Sequence, residues 1–549
     1  MPITSPPSLE AALTKETINS SIPGLRTFSG LEPYSGPWGN HEIIHLLKRT
    51  MFGAKKQDVD HFRGKTCAET IDELLTPLPF SIPPPVNDYE PSGYVVPYGQ
   101  PWINAAFNEQ ENPFRLGSFR RWTMGAFINQ DRSLREKTTL FWHNHFATQL
   151  TAAISGQVWQ HHSLLRKESL GNFKTLTKHI TLDCHMLNFL NGGENTKLAP
   201  NENYARELQE LFCIGKGPNA KFSEVDVKQA ARVLTGWKRP AEGTQSFFKP
   251  DDHDTGDKVF SAFYNNTVIK GRLGDDAGTQ ELDDLLDMIF NNAETALFIC
   301  RKLYRWFVYY IIDESTEKKV IGPMADILRK HNYEIKPVLE ALFNSAHFFD
   351  PQNMGAQIKS PIDFCIGLQR EFNINYSREE QFASNYSMWE LLIEYCVDMG
   401  QLYADPPNVS GWPAYYQEPG FYKLWINTSS YPKRNEFSAT LIDYGFNRVG
   451  HFFTIDVINF AKSLPDPADP DRLIADSLEI LYRVPINENS RNELKKDTLL
   501  SGQLQNHYWT DAWNEYMAQP TNENRRNTIN IRLKSLYRYL LNAAEYQLA

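Results

Sequence analysis

Cysteine is sparse and never paired in a CxxC: the six in 549 residues (Cys67, Cys184, Cys213, Cys300, Cys365 and Cys396) are scattered. That spacing argues against a zinc ribbon or a disulfide frame and reads as buried free thiols in a reducing compartment. No GxSxG elbow, GxxxxGK[ST] loop or GxGxxG after a strand occurs. Their absence removes α/β-hydrolases, P-loop NTPases and Rossmann enzymes. No apolar run is long enough to cross a bilayer; the richest, Trp306 to Ile312, is far too short. The opening stretch, MPITSPPSLEAALTKETINSSIPGL, has no basic segment followed by an apolar one, so no secretory signal is visible. The expected location is cytoplasmic as numbered, with export if a signal has been removed. Excess positive charge is lacking too: the net charge of −10 argues against nucleic-acid and anionic-membrane surfaces.

What is present is a well-packed chain, 41% hydrophobic and 13% aromatic. Apolar residues recur at helical spacing through most of it, predicting a mainly α, multi-helix globular bundle. Between residues 244 and 274, aromatic and β-branched residues alternate with Gly, Asp and Asn, predicting a small β-hairpin insertion. The expected organisation is an extended arm over 1–37, a core helical domain over 38–375, and a C-terminal helical region over 376–549 packed on it. Ser223 and Asp226 form a capping box for the helix SEVDVKQAARVLTGW.

Two stretches hold the chemistry, APNENYARELQELFCIG (199–215) and FWHNHF (141–146). In the first, Asn201 caps a helix that Gly215 ends. At about 100° per residue, Tyr204, Leu208, Leu211 and Phe212 share one face, and Glu202, Asn203, Arg206, Glu207 and Glu210 the other. Cys213 and Ile214 come next on that polar face, so chain is expected to cover it, and covered carboxylates need partners. The alternative is an ion-pair ladder on a solvated face. In FWHNHF, His143 and His145 lie about 200° apart on the wheel and face opposite ways. His143 shares a face with Glu136 and Thr139, and His145 lies among Leu134, Phe141 and Trp142. Both chelate one ion only if the helix ends or distorts there; the alternative is buried imidazoles donating to backbone or carboxylate.

The candidate enzyme is hydrolase-like. Glu207 is the base, with Glu210 as an alternative base or metal ligand and His143 or His145 as ligand or acid. Asn144, Asn203, Arg206, Glu202, Trp237, His253, Asp254 and Trp412 contact substrate. A divalent metal on His143, His145 and Glu207 is the candidate cofactor, and a polysaccharide or its sulfated derivative the candidate substrate. His253-Asp254 pairs an imidazole with a carboxylate in a turn-rich loop. Trp237 and Trp412 sit at Gly-flanked corners, as packing anchors or, with Tyr415, Tyr416 and Trp425, as sugar platforms. HEIIH (His41 to His45) matches the zincin pattern, with Glu42 as base between His41 and His45, but its first histidine falls in the first helical turn and no third ligand is evident downstream.

Several phrases together, HLLKRTMFGA, LREKTTLFWHNHFA, LLRKESLGNFKTL, NENYARELQELF, DVKQAARVLTGW, the HD of DDHDTGDK, and PPNVSGWP followed by WIN, resemble the bacterial family called domain of unknown function 1800. The resemblance runs from about His45 to Ala439. It implies no assigned activity. It does imply a sulfatase-like functional partner of the domain of unknown function 1501 type, and export in many relatives. Where relatives usually carry Asp-Pro-Ala-Met, this chain has Asp183-Cys184-His185-Met186, and His185 is an added candidate ligand. A helical scaffold that matures a partner enzyme is the competing function. An enzyme needs these groups in a water-reachable hollow, whereas a scaffold can bury them as a satisfied polar core.

Overall fold

A computed structural model describes residues 29–79, 82–89, 94–378, 381–412 and 421–549. The expected N-terminal arm falls mostly before residue 29, and Tyr415 and Tyr416 also lie outside the described residues.

The helices that position the polar interior are α1 (Asn40–Thr50), α2 (Asn112–Ile128), α3 (Arg135–His145), α4 (Ser155–Lys167), α5 (Phe173–Thr181) and α6 (Cys184–Phe189). They are followed by α7 (Glu202–Glu207), α8 (Glu224–Val233), α9 (Ala277–Phe290), α10 (Ala293–Phe307), α11 (Pro361–Glu371), α12 (Phe382–Asp398) and α13 (Ser430–Asp443). Every residue of α3 is buried, the polar and charged ones included, so Arg135, Glu136, Lys137, His143, Asn144 and His145 all face protein. Helix α4 packs on α2, α3, α5 and α6, and its Gln157, His161, His162 and Arg166 are buried. The expected boundary near residue 375 falls between α11 and α12, which pack on each other and on α2. Buried apolar side chains from Ile43 to Tyr546 form one contiguous cluster.

Caps fix the register of the short helices. Asn172 Oδ1 accepts from the Thr175 N–H at 3.0 Å, and Asp183 Oδ1 from the Met186 N–H at 2.9 Å. Each such cap stabilises its helix by about 1 kcal/mol. The capping box forms as its residues predict, with Ser223 N–H donating to Asp226 at 2.7 Å.

The described strands form two-stranded antiparallel sheets. Trp237–Lys238 (β1) pairs with Phe247–Phe248 (β2), and Lys258–Val259 (β3) with Val268–Ile269 (β4), inside or beside the expected insertion. A third hairpin, Phe446–Arg448 (β5) with His451–Phe453 (β6), lies where the sequence predicts only helix. Its turn residues Val449 and Gly450 have φ of +47° and +80°. That is the primed-turn backbone usually marked by Asn-Gly, and valine hides the signal. Among the described residues no helix is long and apolar enough to cross a membrane.

Candidate functional site

Asn201 caps α7, its Oδ1 accepting from the Asn203 N–H at 2.9 Å. Beyond Glu207 the chain continues as a π-helix, Leu208–Cys213, and Gly215 ends it at φ +91°. The wider π turn rotates the residues after it, so Cys213 and Ile214 turn into the core and do not cover the charged face. Arg206 joins Glu202 at 3.1 Å, Glu210 at 3.4 Å and Glu224 at 2.6 Å, and Lys216 joins Glu210 at 2.7 Å. Glu224 is 68% exposed and Arg206 30%, so this is the surface ladder, each pair contributing about 0.3–0.5 kcal/mol. Asn203 is exposed. Glu207 is half-buried; burial and then the Glu210 charge raise its pKa.

Helix α3 does lie beside this segment. His145 Nε2 contacts the Phe212 carbonyl at 3.1 Å, and Nδ1 lies 2.9 Å from Lys302 Nζ, which also donates to the Leu211 carbonyl at 3.0 Å. The imidazole N–H therefore donates at Nε2, and Nδ1 accepts from lysine. Phe146, Phe173, Phe212 and Phe298 surround the ring at centroid distances of 4.4 to 6.4 Å. The space between the segments is filled by these rings, and His145 is a satisfied core residue.

The other face of α3 differs. Glu136 forms a bidentate pair with Arg166 of α4, whose guanidinium lies 5.3 Å from the Trp122 ring. Two turns on, His143 lies against Tyr403 and Trp412, with centroids 4.5 and 5.7 Å away. His162 Nδ1 and the Tyr403 hydroxyl are hydrogen-bonded at 2.7 Å. His161 Nδ1 bonds Asp183 Oδ1 at 2.8 Å, and the His185 ring lies 5.4 Å from that of His161, nearly perpendicular. All four histidines are 1–2% exposed.

Six imidazole nitrogens here are buried without a hydrogen-bond partner: both of His143, both of His185, and Nε2 of His161 and of His162. An unmade hydrogen bond at a buried polar group costs about 1–3 kcal/mol, and clustered exceptions require an explanation. Burial, and then the charges of His161 and His185, hold His143 well below the usual histidine range. Burial and the His161 charge bring His185 to about 3. Both are neutral at pH 7. Asp183 Oδ1 accepts from His161 Nδ1, which orients the ring.

Asn144 Oδ1 accepts from the Trp412 N–H at 2.8 Å. A Cβ on Gly411, whose φ is +86°, would fall 2.3 Å from that same oxygen, so the Gly-Trp corner admits no side chain there. His253 Nδ1 bonds the Thr235 carbonyl at 2.9 Å, and its Nε2 lies 3.2 Å from Glu281 without hydrogen-bond alignment. Lys258 pairs with the other Glu281 oxygen. Asp254 takes both forks of Arg232 at 2.7 and 2.9 Å. Trp237 packs on Phe248 and, with Asn201 and Tyr204, lines a small cavity. In α1, Glu42 accepts the Gly39 N–H at 3.0 Å, His45 Nε2 bonds the Phe348 carbonyl at 3.2 Å, and His41 is exposed. Glu42 is thus occupied at the N-cap, Gly39, of α1.

His143, His145 and Glu207 do not converge. Among the described residues no group of three or more His, Cys, Asp or Glu is arranged to hold a metal ion. The residues that sequence reasoning passed over are His161, His162 and Tyr403. The signal was the adjacent His-His directly before SLLRKESL in a helix with apolar residues on both sides.

The family described as protein of unknown function (DUF1800) matches residues 45–548. No curated protein and no solved structure matches.

Proposed function

This chain belongs to the DUF1800 family, and we propose that it is a hydrolase-like enzyme whose chemistry resides in the imidazole cluster between α3, α4 and α6. The observation that carries the proposal is the set of six unpartnered imidazole nitrogens. A non-catalytic scaffold would bury a satisfied polar core, as it does at His145; this cluster is unsatisfied.

The bond type is set by the groups at hand. Glycosidic hydrolysis needs two free carboxyls flanking the bond, whereas Glu136 is locked to Arg166 and Asp183 to His161. Imidazoles suit ester hydrolysis. His161 Nε2, oriented by Asp183, takes a proton from water as its oxygen bonds to the ester centre. The N–H of His143 or His185 stabilises the oxyanion that develops. The ester C–O bond then breaks, and the proton passes from His161 to the departing alkoxide, yielding an acid and an alcohol. Tyr403 and Trp412 cover His143. The polysaccharide or sulfated derivative expected from the sequence enters here as the alcohol part of the ester.

The test compares p-nitrophenyl acetate, p-nitrophenyl sulfate and p-nitrophenyl β-glucoside, with elemental analysis of the native protein to show whether the imidazoles act alone or on a metal-held water. Hydrolysis of an ester that falls at least hundredfold in His161→Ala and Asp183→Asn supports the proposal. Cleavage of the glucoside alone, no cleavage at all, or undiminished rates in both variants contradict it.

A further inference from the structure

Along the chain the cysteines are scattered, yet folding brings two of them together. Cys365 lies on α11 and Cys396 near the end of α12, and these helices pack on each other. Gln401 ties their ends: its Oε1 accepts from the Ile362 N–H at 3.0 Å, and its own N–H donates to the Cys396 carbonyl at 2.8 Å. Beside the cysteines, Phe364 and Tyr395 both pack on Phe437 of α13, with centroids 6.2 and 4.7 Å away. Held by these two anchors, the Cys365 and Cys396 thiols are hydrogen-bonded to each other. Both are free and buried.

We infer that Cys365 and Cys396 are a modification site, joined as a disulfide when the chain folds in the presence of a small disulfide of the glutathione class. A thiol that hydrogen-bonds a second thiol holds its sulfur near bonding range, so the helices need little rearrangement to reach an S–S length of about 2.05 Å. Arg434 of α13 supplies a cation. It acts electrostatically on both sulfurs, and its Nε is buried without a hydrogen-bond partner. A cation beside a thiol favours the thiolate, which is the attacking form. One thiolate attacks a sulfur of the glutathione disulfide, giving a mixed disulfide and releasing one glutathione. The second thiolate attacks the protein sulfur of that mixed disulfide, its bond to glutathione breaks, and the second glutathione leaves. The protein thiols give up two electrons and two protons, which the oxidant takes up as two thiols. Burial raises the Cys365 thiol well above its usual range, so the exchange belongs to the folding chain and not to the finished fold. Once made, the bond is shielded from reductant and ties α11 to α12 across the expected boundary near residue 375.

The test produces the full chain in two cell strains, one with a reducing and one with an oxidising glutathione pool. Free thiols are blocked with iodoacetamide at lysis, and the soluble protein is mapped by peptide mass spectrometry. The expected result is a linked Cys365–Cys396 peptide from the oxidising strain only, and a urea midpoint of that protein that falls by about 0.5 M or more when reductant is added. In Cys396→Ala the midpoint is unmoved by reductant. Alkylation of both cysteines in soluble protein from the oxidising strain overturns the inference. So does linkage of either to other cysteines as often as to each other, or a wild-type midpoint that reductant leaves in place. Should Cys396→Ala fail to fold, the peptide map and midpoint of the unaltered chain decide the matter.

Discussion

His143 and His145 stand two residues apart on one buried helix, and their surroundings are opposite. At His145 both ring nitrogens are engaged, one with the Phe212 carbonyl and one with Lys302. At His143 neither is, and its neighbours His161, His162 and His185 add four more unpartnered nitrogens. Burial lowers the pKa of both residues, so desolvation alone does not distinguish structure from function. Partnership does. At His145 the hydrogen bonds are made, whereas the nitrogens around His143 are left unmade at a cost in stability, and that contrast is what supports the proposed centre.

The largest effect belongs to the satisfied part of the His143 face. Glu136→Gln leaves the Arg166 guanidinium buried without its counter-charge, and the expected loss is about 3 kcal/mol or more in urea unfolding. A loss below about 1 kcal/mol would mean that the polar seam is wetter than its burial implies. Next is His145→Phe, which strips Lys302 and the Phe212 carbonyl of a partner; about 2 kcal/mol of destabilisation is expected.

Acidification sharpens the contrast further. Folded His185 titrates at about 3, whereas an unfolded histidine titrates near about 6.5. Between those values the unfolded chain takes up a proton that folded His185 refuses, so stability falls as the pH drops from about 6.5 toward 3. The slope from this group is up to about 1.4 kcal/mol per pH unit, and His185→Leu should flatten the profile by that amount. An unchanged profile would show His185 to be solvated. The smallest effect is at the surface ladder, where Arg206→Ala should cost less than about 1 kcal/mol because its partners are exposed. A larger loss would restore α7 as a candidate site.

Much of the fold was legible. The Asn201 cap and the Ser223–Asp226 box are dictated by residue types at fixed spacing. The position of the site was only half legible. The opposed faces of His143 and His145 come from helical geometry, and His185 stood out against its family pattern. The π turn after Glu207 did not show, because it depends on tertiary packing, and it rotated Cys213 and Ile214 off the face where a regular helix puts them. The cluster itself joins α3, α4 and α6 with Tyr403, a contact made only by folding.

The most direct measurement is the urea midpoint of His143→Phe beside that of His145→Phe. If the His143 face is kept for function, His143→Phe unfolds at or above the wild-type midpoint while His145→Phe unfolds well below it. If His143→Phe falls as far as His145→Phe, the histidines on both faces are structural, and the proposed centre is contradicted.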